Sequence, residues 1–338
     1  MEASSNTMTQ NVLDRLRKCN DEEREITDME HIRQTENWDC GLACVQMILQ
    51  WLNNANDNNE EFDDDPSNRA NNRNNQSESD EKAWMVEFVA TKSIWTIDLV
   101  FLLEHMLSGH HMISNNNNQR DVGDDAEETC NNQQCPPQTN YIHPSTPILA
   151  STSNSTTSYL FTSTKFGVDE SYHKLGYYQD KFTSDERRVN NLFQRAHKQK
   201  LPLVQSSHLT MKGLVDVVGR KNVVAIVLLD NRILTNSNAT TVAPIANTTT
   251  SYSGHYVILC GISRDENDIE YAQLKSSSPP QHENENENDD NNRPEYVMVL
   301  KNPGTCRKTE LVTPEIFEKA RRAKGTDEDV IFIANHCA

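Results

Sequence analysis

Four polar stretches, residues 53–81, 115–140, 231–250 and 276–294, divide this chain into short foldable pieces. Each is rich in Asn, Asp, Glu, Ser or Thr and holds few large apolar side chains. Such stretches bury too little surface to offset the entropy of ordering the backbone, so they read as disordered inserts. Residues 1–30 read the same way, as a disordered acidic tail. What remains is one domain, residues 31–334, whose foldable part is on the order of 200 residues. Its elements must assemble across long excursions, and every insert falls between predicted elements, where loop length costs little.

The foldable pieces put helices first and strands later. Leu42, Val45, Ile48, Leu49 and Leu52 recur at helical spacing, and Asp39 stands where an N-cap belongs. A second helix is predicted over Thr96–Leu107, capped by Thr96, and a third from the Thr183-Ser184-Asp185-Glu186 capping pattern to Lys198. Thr210 caps a short helix to Val218. Asn222–Leu229 is an unbroken β-branched run, the pattern of a strand buried on both faces. His255–Ile262, Tyr296–Leu300 and Asp329–Ala334 are further strands, and Thr313-Pro314 opens a last helix. Shorter readings are a helix at Leu13–Arg17 and strands at His110–Ser114, Tyr159–Thr164 and Leu201–Ser206. Segregated helices and strands imply an α+β fold, with N-terminal helices packed on a mostly antiparallel sheet.

The chemistry concentrates on Cys40. The run Asn37-Trp38-Asp39-Cys40-Gly41 puts this thiol in the first turn of a helix, where the dipole and unpaired N–H groups favour thiolate. The helix end supplies only about 0.3–1 kcal/mol. An imidazolium about 4 Å away supplies roughly 4 kcal/mol at an effective dielectric of 20. His255, which follows Gly254 at the start of an apolar strand, is therefore the expected activator and general base. Asn302, after the next strand, is expected to orient the imidazole, with Asp265 and Asp268 as weaker candidates for that role. Gln34, six residues before Cys40, can donate to an oxyanion beside the sulfur. Each has a plainer reading: Cys40 as a small core residue, His255 as a satisfied strand histidine, Asn302 as a turn residue and Gln34 as surface. Cys44, one turn beyond Cys40, reads as core.

Other functions find little support. The net charge of -18 carries no offsetting Lys/Arg patch, which argues against nucleic acid. No apolar window reaches the roughly 18 residues of a membrane span, and Met1–Asn11 lacks a signal core. The eight cysteines read as free thiols and the chain as cytoplasmic, with nuclear access left open. Cys130 and Cys135 have no second pair for zinc, His110-His111 has no partners, and no Gly-rich phosphate loop occurs. Gly325-Thr326-Asp327-Glu328-Asp329 reads as a turn into the last strand rather than a cation site.

Several of these motifs, in this order, resemble the guanylyl cyclase domain-containing family of plants and animals. They are Asn37–Cys44, Ser93–Leu99, Gly167–Asp169, Arg188–Phe193, Gly254–Leu259 and Gly325–Asp329. The resemblance spans about His31 to Ile333 and implies GTP cyclisation with a divalent metal. Carboxylates for that metal, Asp98 with Asp327 or Asp329, are available only by elimination. The same motifs are also similar to papain-like bacteriocin-processing cysteine peptidases, which implies a papain-like fold. There a Gln six residues before the Cys, a Gly-His strand and an Asp-Pro turn form the site; this chain has Asn302-Pro303 at the turn. Under that reading Cys40, His255, Asn302 and Gln34 act on a peptide or isopeptide-like bond of a peptide or protein substrate, without a cofactor. A catalytically silent interaction protein is the third reading, and the oligomeric state is open.

Overall fold

The computed structural model describes residues 26–57, 75–108, 157–169, 182–206, 208–220, 222–236, 252–276 and 294–335. In chain order these form α1 (Cys40–Asp57), α2 (Asn75–Val89), α3 (Thr96–Leu107), β1 (Thr157–Ser163), α4 (Phe182–Gln199), β2 (Leu203–Gln205), α5 (Met211–Val218) and β3 (Val223–Asp230). They continue with α6 (Asn231–Asn236), β4 (Gly254–Ser263), α7 (Glu266–Ser276), β5 (Val297–Lys301), β6 (Glu310–Val312), α8 (Pro314–Arg321) and β7 (Val330–Asn335). The strands make one seven-stranded sheet in the order β2-β1-β7-β3-β4-β5-β6. Only the β1–β2 pair is parallel. The expected α+β class and mostly antiparallel sheet are thus present.

The helices do not keep to one side. Val224 and Ile226 of β3 join a core with α1, α2, α3 and α4. Val223, Ala225, Val227 and Leu229 join a second core on the opposite face with α5, α6 and α8. The β-branched run is buried on both faces because it lies mid-sheet between two helical layers. Removing one such side chain, as in Ile226→Ala, costs about 2–5 kcal/mol. Helix α1 is likewise buried all round from Gly41 to Leu49 rather than along one stripe. The sheet covers one side of it, and α2 and α3 the other.

Several expected inserts prove partly ordered. Helix α1 runs through Asp57 and α2 begins at Asn75, so residues 53–81 are trimmed from both ends. The polar start of α2 hides it in the sequence, and its buried Met85 and Val89 lie in its second half. Helix α6 occupies the first residues of 231–250, and α7 ends inside 276–294. Within the expected tail, Ile26 bridges Gly261, the Thr27 N–H donates to the Cys260 carbonyl at 2.8 Å, and Met29 is buried. The expected insert 115–140, the helix at Leu13–Arg17 and the strand at His110–Ser114 lie outside the described residues. Cys40, Cys44, Cys260 and Cys306 are free thiols; the other cysteines are outside the described residues. Among the described residues no helix is long and apolar enough to cross a membrane.

Two features of the sheet position the site. Strands β4 and β7 both run antiparallel to β3, so both start at the same end of the sheet. There the Leu228 N–H donates to the Asp329 carbonyl at 3.1 Å on one side, while Leu228 pairs with Tyr256 on the other. At the neck of the β3–β4 hairpin, Asn231 N–H donates to the Ser253 carbonyl at 2.9 Å, extending the ladder one step beyond the Asp230–Gly254 pair.

Candidate active site

Cys40 opens α1, as its sequence position implies, and its sulfur accepts from the Tyr256 N–H at 3.5 Å. Tyr256 follows His255 in β4, so standard bond lengths put the sulfur within about 6 Å of the His255 Cα. Gly41 makes this approach possible. A Cβ there would lie 3.0–3.1 Å from the Leu99 side chain and 3.1 Å from the Tyr256 ring. The Asp-Cys-Gly signal is therefore as much about packing as about the thiol.

His255 and Asn302 meet across β4 and β5, with His255 Nε2 2.7 Å from Asn302 Oδ1. The surrounding bonds assign the protons. Asn302 Oδ1 also accepts from the Gly304 N–H at 2.9 Å, and Asn302 Nδ2 donates to Glu310 Oε2 at 2.8 Å. An oxygen that accepts from a backbone amide is the carbonyl end of the side chain, so His255 Nε2 must carry the proton. Nδ1 is then the basic nitrogen. Backbone contacts fix Asn302 further: His31 Nε2 donates to its carbonyl at 2.9 Å, and the Gln34 N–H donates to the Pro303 carbonyl at 2.9 Å. Asp265 and Asp268 are occupied elsewhere, around the Ser263 turn and the start of α7.

The pleat gives the two halves of the site different sides. Tyr256 and Ile258 pack with Cys40 on the α1 face, whereas Val257 and Leu259 belong to the opposite core. His255 shares the parity of Val257, as Asn302 shares that of Leu300. The sulfur thus reaches the end of the sheet from one face and the imidazole from the other.

Electrostatics overturn the expected resting thiolate. Burial pushes the Cys40 thiol up to about 11, outweighing the N–H groups of Tyr256 and Gly41 that lower it, and the Asp39 charge adds to the rise. Burial also lowers His255 below the usual imidazole value, against the Asn302 hydrogen bond and Glu310, which raise it. Both partners are neutral at rest. The expected role of Asp39 also changes. Its carbonyl accepts from Ala43 N–H, but its fully buried carboxylate turns back to Thr35 Oγ1 (3.0 Å), Glu36 N–H (3.1 Å) and Lys82 Nζ (2.5 Å). Burial alone would raise this carboxyl; the Lys82, Thr35 and Glu36 bonds bring it below the ordinary value.

Gln34 is beside the site, but its side-chain N–H donates to the Glu36 carbonyl at 2.8 Å, and its Oε1 is buried without a partner. The Thr96 cap also moves. Trp95 is the N-cap of α3, and Asp98 Oδ2 accepts from the Trp95 N–H at 2.8 Å. Asp98 also pairs with Arg188, which commits it to structure rather than metal.

The cleft beside Cys40 has a volume of about 40 Å³, with Trp38, Trp95, Thr96, Tyr256, Asp327 and Asp329 in its walls. The Gly325–Asp329 turn, whose Asp327 and Asp329 the sequence offered only by elimination, therefore lines the cleft. Thr96 Oγ1 donates to Asp329 Oδ2 at 2.5 Å and lies 3.0 Å from the Tyr256 hydroxyl.

A family model described as guanylylate cyclase matches residues 29–73 and 152–333, which includes Gln34, Cys40, His255, Asn302, Asp327 and Asp329 but not Thr96 or Asp98. The chain belongs to the guanylylate cyclase family. Within that family it is 21% identical over 308 residues to "Guanylyl cyclase 1" of Arabidopsis thaliana, covering 90% of this chain and 75% of the relative. No solved structure matches the chain. The family's match begins just before His31 and ends within β7, so both β-strand starts and the Cys40 helix lie inside it.

Proposed function

We propose that this chain is a papain-like thiol hydrolase or acyl transferase, acting on a peptide or isopeptide-like bond of a peptide or protein substrate. The observation that carries this reading is the His255–Asn302 pair at 2.7 Å, whose tautomer leaves Nδ1 basic, one residue along β4 from the Tyr256 N–H that meets the Cys40 sulfur. Because thiol and imidazole are both neutral at rest, proton transfer accompanies attack instead of preceding it. His255 Nδ1 takes the thiol proton as sulfur adds to the carbonyl carbon. The leaving amine then takes that proton, giving a thioester that water or a second amine resolves. Asn302 holds the ring and its tautomer through both steps. Gln34 completes the site as oxyanion donor once its amide turns from Glu36.

A second reading rests on the family's description and on the relative's name, which denote guanylyl cyclase. GTP cyclisation needs groups that clamp a triphosphate and hold a divalent metal. Among the described residues no three His, Cys, Asp or Glu side chains form a metal-binding group, and Asp98 is committed to Arg188.

An electrophilic peptide probe separates the readings. Labelling at Cys40 that disappears in Cys40→Ala supports the hydrolase. Metal-dependent cyclic GMP production that survives Cys40→Ala supports the cyclase. Neither signal in folded protein supports a silent interaction module.

A further inference from the structure

A second cleft lies at the β5–β6 end of the sheet. Lys301 pairs with Ile258, which packs in the same core as Cys40, so Lys301 and Val299 look out on the α1 face. Further along that face Ile269 and Ala272 of α7 cover Val297. The N-terminal segment lies against β4, where Ile26 bridges Gly261. Between these two covers is a space of about 370 Å³, floored by Cys260, Val299 and Lys301 and walled by Ile26, Tyr271 and Leu311. One water needs only ~10–15 Å³ of such volume, so the cleft admits a molecule of many atoms.

The floor holds a charge without a counter-ion. Lys301 is only 8% exposed, and its Nζ reaches one partner, Thr309 Oγ1 on the cleft rim, at 3.4 Å. Among the described residues no carboxylate pairs with it. An ammonium has three donors, and burying one without an anion beside it is costly. Two carboxylates do line the cleft, but Asp268 accepts from Ser263 Oγ at 2.7 Å and Asp28 is exposed. The thiol in the floor offers no reactive sulfur. Burial pushes Cys260 up to about 12, with the Lys301 charge lowering it and the Asp28 charge raising it.

We infer that this cleft binds a small monocarboxylate with an apolar body, its carboxylate on the Lys301 ammonium and its body against Val299, Leu311 and Tyr271. A carboxylate supplies both the acceptors and the negative charge that Lys301 lacks. One negative charge suits the walls better than two, because Asp28 and Asp268 repel the second charge of a phosphate. The site does not depend on the chemistry of Cys40. Lys301 and Asn302 are consecutive, but the pleat sends them to opposite faces, so the carboxylate lies across the sheet from the His255–Asn302 bond.

The test is calorimetric titration of the full chain with three probes of similar shape: 3-phenylpropionate, 3-phenylpropanamide and 3-phenylpropylamine. The acid is expected to bind about tenfold tighter than the amide, the worth of one hydrogen bond to a charged group. Lys301→Met, which keeps an apolar stem, should erase that preference. Lys308→Met, at an exposed position outside the cleft, should keep it. Tyr271→Ala, at a position 46% exposed, should weaken acid and amide alike. The inference is overturned by an acid that does not bind at millimolar concentration, by equal binding of acid and amide, or by tighter binding of the amine. A preference retained in Lys301→Met, or an acid affinity unmoved by Tyr271→Ala, overturns it too. Should Lys301→Met not fold, the Lys301 Cε resonance of ¹³C-labelled wild type decides. A shift with the acid and none with the amide sustains the site; an unmoved resonance removes it.

Discussion

Asn302 Oδ1 accepts at once from His255 Nε2 and from the Gly304 N–H, which ties the protonation of an imidazole to one backbone amide. Asn302→Ala removes the ring's partner and leaves Glu310 without the Nδ2 donor. Alkylation of Cys40 by iodoacetamide at pH 7 should slow by about tenfold or more, in line with the worth of positioned acid–base groups. An unchanged rate in folded Asn302→Ala would remove Asn302 from the mechanism.

Gly304→Ala tests the same geometry by crowding. The added Cβ would lie 3.1 Å from His255 Cε1 and 3.2 Å from both His255 Nε2 and Asn302 Oδ1. The ring must shift by a few tenths of an ångström, so Cys40 labelling should fall further than stability does. Labelling kinetics and urea unfolding, measured side by side, read the two effects.

The buried thiol sets a pH dependence. The folded Cys40 keeps its proton to about 11, whereas an unfolded cysteine loses it near 9. Between these values only the unfolded chain is deprotonated, so stability falls as pH rises, by about 1.4 kcal/mol per unit. Cys40→Ser should flatten that fall in chemical denaturation between pH 9 and 11. In free protein, iodoacetamide labelling should climb through this range; a plateau below pH 8 would contradict a buried neutral thiol.

Asp329 behaves in the same sense at lower pH. Its folded carboxyl holds a proton to about 8, well above the ordinary 3.8. Stability is complete below about pH 4 and drains as the unfolded carboxylate forms, again at up to about 1.4 kcal/mol per unit. Asp329→Asn should therefore be as stable as wild type at pH 4 and more stable at pH 8. Denaturation midpoints across that interval give the answer.

Arg321 supports the turn from below, with no exposed surface, bonding Glu318, Glu328 and the Leu209 carbonyl. Arg321→Met strands two carboxylates and should cost about 3–5 kcal/mol, the usual result of breaking a buried ion pair from one side. Urea unfolding measures the loss.

The sequence revealed the parts of the site that depend on one element at a time. Cys40 before a glycine, His255 at a strand start and Asn302 after the next strand were all readable, because β4 and β5 are neighbours in both chain and sheet. Asp329 was not readable as a cleft residue, since its place beside Tyr256 depends on β3 lying between β4 and β7. Lys82 was hidden because its helix begins with polar residues, so the partner of Asp39 could not be seen. The thiolate expectation failed for a different reason: a helix dipole is local and legible, while burial of the sulfur against β4 at Tyr256 is a property of the assembled fold.

The Asn231–Ser253 bond at the hairpin neck has a practical consequence. It locks the alignment of His255 against Leu229 before the chain departs, so the imidazole is indifferent to how much polypeptide hangs beyond the neck. A peptide tag or fluorescent reporter spliced between residues 237 and 251 should leave His255 where it is, offering a handle only a few residues from the chemistry.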